Sequence, residues 1–206
     1  MLDKIREYPR RKRLTVGISG ASGSALALEL LKTLRLLPDW ETHLVISNGG
    51  VRTLEHETHI TESQLGDYAT RIYDREDVGA NIASGTFVTE GMVIVPCSMK
   101  TVAGVCSGYS DNLLLRAADV TIKERRKLVM IARETPLSPI HLRNMLSLTE
   151  MGVVVMPPMM TYYNHPQSVA DMTGHIVGKI LHEFGVEATG FKRWGSMECE
   201  APLRAF

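Results

Sequence analysis

The sequence predicts an α/β protein: a Rossmann-like three-layer sandwich with a mainly parallel sheet, built as a single domain over residues 1–206. Three observations carry this expectation. The run Arg13-Leu14-Thr15-Val16 is apolar and β-branched, and Gly17-Ile18-Ser19-Gly20-Ala21-Ser22-Gly23 follows it directly. From Ser24 to Leu37, Leu or Ala at 25, 26, 28, 30, 31 and 34 recur with helical spacing. Beyond that, short apolar runs alternate with helix-like segments, the order that builds a parallel sheet covered on both faces.

A strand, a glycine turn and a helix in that order place backbone N–H groups at a helix N-terminus, where an anion can dock. Glycine matters there because a Cβ would block close approach of a phosphate. Ser22 stands at the mouth of the helix, in position to cap an N–H or to reach a ligand. The blander reading is a tight turn that starts an ordinary helix and binds nothing. A dinucleotide site asks for Asp or Glu at the end of the second strand. The second strand here, Glu41 to Ser47, ends in Ser47-Asn48-Gly49-Gly50 with no carboxylate, which favours a mononucleotide phosphate or another small anion.

The later elements follow in order. Residues 50–59 read as a helix carrying Glu55 and Glu57, and Thr61 with Gln64 as a capping box for a short helix. Residues 66–90 are polar and read as loop with short helical pieces. Met92-Val93-Ile94-Val95 is a third strand, ended by Pro96, that delivers Cys97 to Thr101 at the edge where open α/β sheets bind ligands. Thr101 to Gly108 forms a short helix, and Asp111 caps the next one, through Leu113 to Ala118. Lys127 to Ala132 is strand four, ending in Arg133-Glu134; Ser138 caps a helix with His141, Asn144 and Met145. Val153 to Met156 is strand five, stopped by Pro157-Pro158. A loop with Tyr162, Tyr163 and His165 then leads to a helix over 168–184. A basic flank (1–12) and a tail without strong period (190–206), which holds Trp194, border the domain.

Lys plus Arg and Asp plus Glu are equal at 23 each, so no global field recruits nucleic acid or anionic lipid. No apolar run reaches membrane-spanning length and no signal peptide precedes the first strand, which predicts a cytoplasmic protein. Three cysteines, an odd count without metal-ligand spacing, fit reduced thiols. The seven histidines are scattered, and no HExxH or GxSxG motif occurs, so neither a metal centre nor an acyl-enzyme triad is expected. Eleven methionines fit gap-filling in a core or subunit interface.

Three strand ends bring polar groups to one rim: Ser22, Ser98 to Thr101, and Arg133-Glu134. A salt bridge within the last pair is the structural alternative, but an exposed bridge stabilises little and gives a poor reason for two charges after a buried strand. In Lys123-Glu124-Arg125-Arg126, at least the two arginines read as a solvated run, whereas Arg116 and Lys123 lie about two helical turns apart and can share a face. Tyr163 alone suits packing as well as ligand contact, and His141 suits a structural role.

Taken together, Gly17 to Gly23, Pro96-Cys97-Ser98-Met99-Lys100-Thr101, Arg116-Ala117-Ala118-Asp119, Lys123 to Val129, Arg133-Glu134-Thr135-Pro136-Leu137-Ser138, His141-Leu142 with Asn144-Met145, and Tyr163 with Pro166 form an ordered set. That set resembles the UbiX-type flavin prenyltransferases, in particular the branch encoded beside phenolic-acid decarboxylases, and the likeness spans nearly the whole chain. It implies a metal-independent transferase that binds reduced FMN and dimethylallyl phosphate. The prenyl carbon joins flavin N5, a ring closes through C6, and the prenylated FMN serves a UbiD-type decarboxylase. It also implies a homo-oligomer, typically a dodecamer, with sites at subunit contacts.

Position by position, the resemblance assigns the flavin and its phosphate to Gly20, Ala21, Ser22, Ser47, Ser98, Met99, Lys100, Thr101 and Arg133, with Trp194 as an aromatic lid. Lys123, Tyr163 and Lys179, with Arg116 nearby, would hold the prenyl phosphate. Glu134 would manage protons around the leaving phosphate; Ser22 with Glu57, rather than Glu55, would relay the proton lost from flavin. Donors preplaced around the phosphate stabilise the charge that forms as the allylic C–O bond breaks. Two departures stand out: Lys179 replaces the Arg of many members, a point charge for a fork, and Met159-Met160-Thr161-Tyr162 precedes Tyr163 in place of a Pro-Ala-Phe-like run. Competing readings are an FMN-dependent oxidative decarboxylase of the cysteine-decarboxylase type, a non-catalytic flavin carrier within a decarboxylase complex, and, more weakly, direct decarboxylation of an aromatic acid.

Overall fold

The computed structural model describes residues 11–188 and 191–195. Most of the basic flank, Cys199 and the end of the tail lie outside the described residues.

Six parallel strands form one sheet in the order β3-β2-β1-β4-β5-β6. They are β1 (Lys12–Ile18), β2 (Trp40–Ile46), β3 (Arg71–Tyr73), β4 (Gly91–Cys97), β5 (Lys127–Ala132) and β6 (Val154–Val155). The helices are α1 (Ser24–Arg35), α2 (Asn48–Thr58), α3 (Met99–Ser107), α4 (Leu113–Lys123), α5 (Pro139–Glu150) and α6 (Val169–Glu183). Helices α1, α2 and α6 share one apolar layer with one face of the sheet; α3, α4 and α5 share the other. Central strands are buried on both faces, which is why they read as unbroken apolar runs. In α1 the burial of Leu26, Ala27, Leu30, Leu31 and Leu34 realises the spacing seen in sequence.

Chain order reverses direction between β1 and β4, the two central strands, so the loops leaving them diverge and open a crevice at the carboxyl edge. Ser19 staples the two exits together there: its N–H and hydroxyl both donate to the Pro96 carbonyl (3.1 Å each), and its Oγ accepts from the Ser98 N–H at 2.8 Å.

Four local expectations need correction. Residues 66–90 hold a strand, β3, besides short 3₁₀ turns; with three residues and an arginine it has no period to detect. Pro96 does not end the third predicted strand, because β4 continues through it to Cys97 with a register shift after Ile94. Asn112, not Asp111, caps α4: its Oδ1 accepts from the Leu115 N–H at 3.0 Å. Helix α1 receives no cap from Ser22 or Gly23; its donors turn to Glu57 instead. The Ser138 cap of α5 stands, with His141 Nδ1 accepting from the Ser138 N–H in return, so His141 is structural.

Candidate active site at the carboxyl edge of the sheet

A cleft of about 260 Å³ opens over the carboxyl ends of β1, β2 and β4. Its walls include Gly20, Ser47, Gly49, Ser98, Lys100 and Thr101, with Leu114 and Leu115 as an apolar side. The β1–α1 and β2–α2 loops touch here. A Cβ on Gly20 would fall 2.9 Å from the Gly49 backbone, and one on Gly50 would fall 2.6 Å from the Ile18 oxygen. Backbone cannot yield as a side-chain tip does, so only glycine permits this approach.

Two helices begin at the cleft, each capped by a serine. Ser47 Oγ accepts from the Gly50 N–H at 3.1 Å and Ser98 Oγ from the Thr101 N–H at 3.3 Å. The first N–H groups of α2 and α3 have no intrahelical partner and face the crevice, a donor array suited to an anion. Lys100 is exposed beside them. Backbone donors, hydroxyls, an exposed cation and an apolar leucine wall together fit a flavin mononucleotide: a flat ring with polar edges and a phosphate tail.

Glu57 reaches from α2 to the start of α1. Its Oε2 accepts from the Gly23 N–H at 3.0 Å and the Ser24 N–H at 2.7 Å, and the Ser22 hydroxyl lies beside it. Partial burial pushes its carboxyl up, but the Ser22 hydroxyl and these N–H groups outweigh it, so Glu57 sits below the ordinary carboxylate range. Ser22 and Glu57 therefore meet as the sequence reading requires. It is the Glu57 carboxylate, two residues beyond Glu55, that turns toward the glycine loop.

At the end of β5, the Arg133 N–H donates to the Cys97 carbonyl at 3.0 Å, which places both residues on the same rim. Glu134 and Arg133 are exposed and form no ion pair with each other. Glu134 accepts from its neighbour's Thr135 N–H, at 2.9 Å. Burial pushes the Cys97 thiol far up, so it is inert. Among the described residues, no group of His, Cys, Asp and Glu gathers that could hold a metal ion.

The second expected set is not assembled within one protomer. Lys123 ends α4 at the amino edge of the sheet, paired with Glu124. Arg116 pairs with Asp119 at 2.6 Å and Lys179 with Glu183 at 2.7 Å. Tyr163 Oη lies 3.3 Å from His175 Nε2 on α6, and Trp194 packs edge-on against the Tyr163 ring, centroids 5.2 Å apart; neither ring lines the glycine cleft. Two contributors escape sequence reasoning: Ser19, whose partners are about 80 residues away, and Arg75, in a polar segment without a motif.

Comparison with known proteins agrees with this geometry. Residues 4–184 match the flavoprotein family. The flavin prenyltransferase LpdB of Lactiplantibacillus plantarum is 51% identical over 89% of this chain and 98% of its own length. Among solved structures, the dodecameric FMN-dependent UbiX-like decarboxylase from Escherichia coli O157:H7 superposes with a TM-score of 0.87 at 47% identity, covering 89% of this chain and 100% of that one. AnUbiX (PadA1), solved with FMN and dimethylallyl pyrophosphate, gives 0.89 at 43% identity, covering 92% and 100%. The FMN-dependent cysteine decarboxylase TvaF shares 16% identity and a TM-score of 0.60, a likeness of fold alone. No helix among the described residues is long and apolar enough to cross a membrane.

Proposed function

Because this chain belongs to the flavoprotein family and, within it, to the UbiX-like flavin prenyltransferases, we propose that it transfers a dimethylallyl group from dimethylallyl phosphate to reduced FMN held in the glycine cleft. The observation that carries this reading is the meeting of two serine-capped helix N-termini and the Ser22–Glu57 pair at one crevice. Reduced FMN, when bound, supplies the nucleophile that takes the prenyl group.

The chain's residues divide the remaining work. Gly20, Ala21, Ser47, Ser98, Met99, Lys100 and Thr101 hold the flavin and its phosphate through backbone N–H groups and hydroxyls, with Arg133 at the rim. Glu57 is ionised at neutral pH, so its Oε atoms are acceptors, and Ser22 can pass a proton to them. Glu134, exposed at the end of β5, exchanges protons with the departing phosphate. Lys123, Tyr163 and Lys179, with Arg116, stabilise the charge on that phosphate, and Trp194 closes over the ring; these groups are contributed across subunit contacts. Self-association has support in α5, which leaves Ile140, Leu142 and Leu146 exposed, and in the loop that follows β6, which exposes Met159, Met160 and Tyr162. A dodecamer, as in the E. coli relative, suits this arrangement.

Residues 1–206 then act as one domain, a cytoplasmic enzyme whose prenylated FMN is handed to a UbiD-type decarboxylase of aromatic or phenolic acids. Purified protein given FMN, reductant and dimethylallyl phosphate without oxygen should release phosphate and yield a flavin heavier by one prenyl unit in mass spectrometry. Bound FMN of unchanged mass would favour a flavin carrier instead. A cysteine-decarboxylase activity has only fold-level likeness behind it.

A further inference from the structure

The β2–α2 loop is the wall of the cleft with least support from the sheet. The last pairing of β3 with β2 is Val45↔Tyr73, so β2 runs one residue past its neighbour and the Ile46 carbonyl on that side has no strand opposite it. An unpaired carbonyl at a buried strand end destabilises the end it belongs to, and Ile46 is fully buried. Arg75, two residues beyond β3, fills the gap with its side chain. Its Nε donates to the Ile46 carbonyl at 2.9 Å, Nη1 to Asn48 Oδ1 at 2.6 Å, and Nη2 to Glu62 Oε2 at 2.6 Å. Its own carbonyl accepts from the Leu113 N–H at 2.8 Å.

One residue thereby joins the end of β2, the first residue of α2, the segment beyond α2 and the start of α4. Asn48, one of these attachment points, and Leu114, next to another, line the cleft, as does Arg75. The fixed fork of a guanidinium meets three acceptors at set angles, which a lysine ammonium on a flexible stem cannot do. With its nitrogens directed at protein acceptors, Arg75 acts on a ligand through the loop it holds.

We propose that Arg75 is a positioning residue for the flavin cleft, holding the β2–α2 loop and, through α2, the Glu57 carboxylate beside Ser22. This rests on the FMN reading above. The test titrates FMN by flavin fluorescence against wild type, Arg75→Ala, Arg75→Lys and Glu62→Gln, with amide exchange of residues 46–50 in the apo proteins. Arg75→Ala should weaken FMN binding about tenfold, with Arg75→Lys between it and wild type. Exchange at 46–50 should rise without a matching rise in β5. Glu62 is not part of the cleft wall, yet Glu62→Gln should weaken FMN in the same direction, and adding it to Arg75→Ala should change little. Wild-type FMN affinity in both Arg75 variants overturns the proposal. Loss confined to Arg75 variants, with Glu62→Gln like wild type, also overturns it, because Arg75 would then touch the flavin itself. If Arg75→Ala does not fold, the Lys and Glu62 variants decide the matter. A wild-type protein that binds no FMN would sink the functional reading first, before any variant is compared.

Discussion

Glu57 begins helix α1 from a distance: a carboxylate on α2 accepts from the Gly23 and Ser24 N–H groups. The positive end of the helix dipole and these donors favour its charged form. Glu57→Gln keeps the shape and removes the charge, so the cap weakens by about 1 kcal/mol, lowering the melting temperature by roughly 2–4 °C. The pH dependence has a definite sign. The folded-state pKa is lowered, so this contribution is present above the unfolded value of about 4.3 and fades as pH falls through the lower folded value. Urea unfolding of both proteins between pH 7 and pH 3 should therefore converge at the acid end. At pH 7, prenyl transfer by the variant should fall by about 100-fold or more while FMN titration changes little. Equal loss of both would make the residue a cap and nothing else.

Helix α5 is amphipathic in an unusual sense, since Leu148 is its one buried residue while Ile140, Leu142 and Leu146 face outward. A charge placed there, as in Leu146→Glu, is tolerated by a free surface but not by a buried contact between copies. Size-exclusion chromatography with light scattering should show a smaller assembly, and prenyl transfer should drop with FMN binding retained. The methionine count points to a core or subunit interface in general, but the outward face of α5 emerges only once Leu148 is seen to be the residue it buries. The central strands and the Ser138 cap are readable because their signals are local: apolar runs, and a hydroxyl three residues before the N–H from which it accepts. Strand β3 is not, because three residues carry no period and its pairing partner decides it. Ser22 and the glycine loop come through motif order, and Glu57 through the family resemblance alone. Ser19 and Arg75 do not, since each takes its role from partners far along the chain.

At the scale of the whole molecule, the protomer carries the groups proposed to bind anions on separated surfaces: the cleft at the carboxyl edge, and Lys123 at the amino edge. A site completed between copies makes a direct prediction. Glu57→Gln and Lys123→Ala, each inactive as a homo-oligomer, should recover about a quarter of the activity per shared site when co-assembled in equal amounts, since that fraction of contacts pairs two intact halves. No recovery in verified mixed assemblies would place the whole reaction within one chain. If Lys123 and Lys179 hold the prenyl phosphate as proposed, their ion pairs with Glu124 and Glu183 set a competition at that site. An incoming anion meets cations that already have company, and must dislodge a tethered acid before it can settle. For exposed pairs that competition is slight, and a well-shaped allylic phosphate ringed by several donors overcomes it where a lone, loosely held anion gains less.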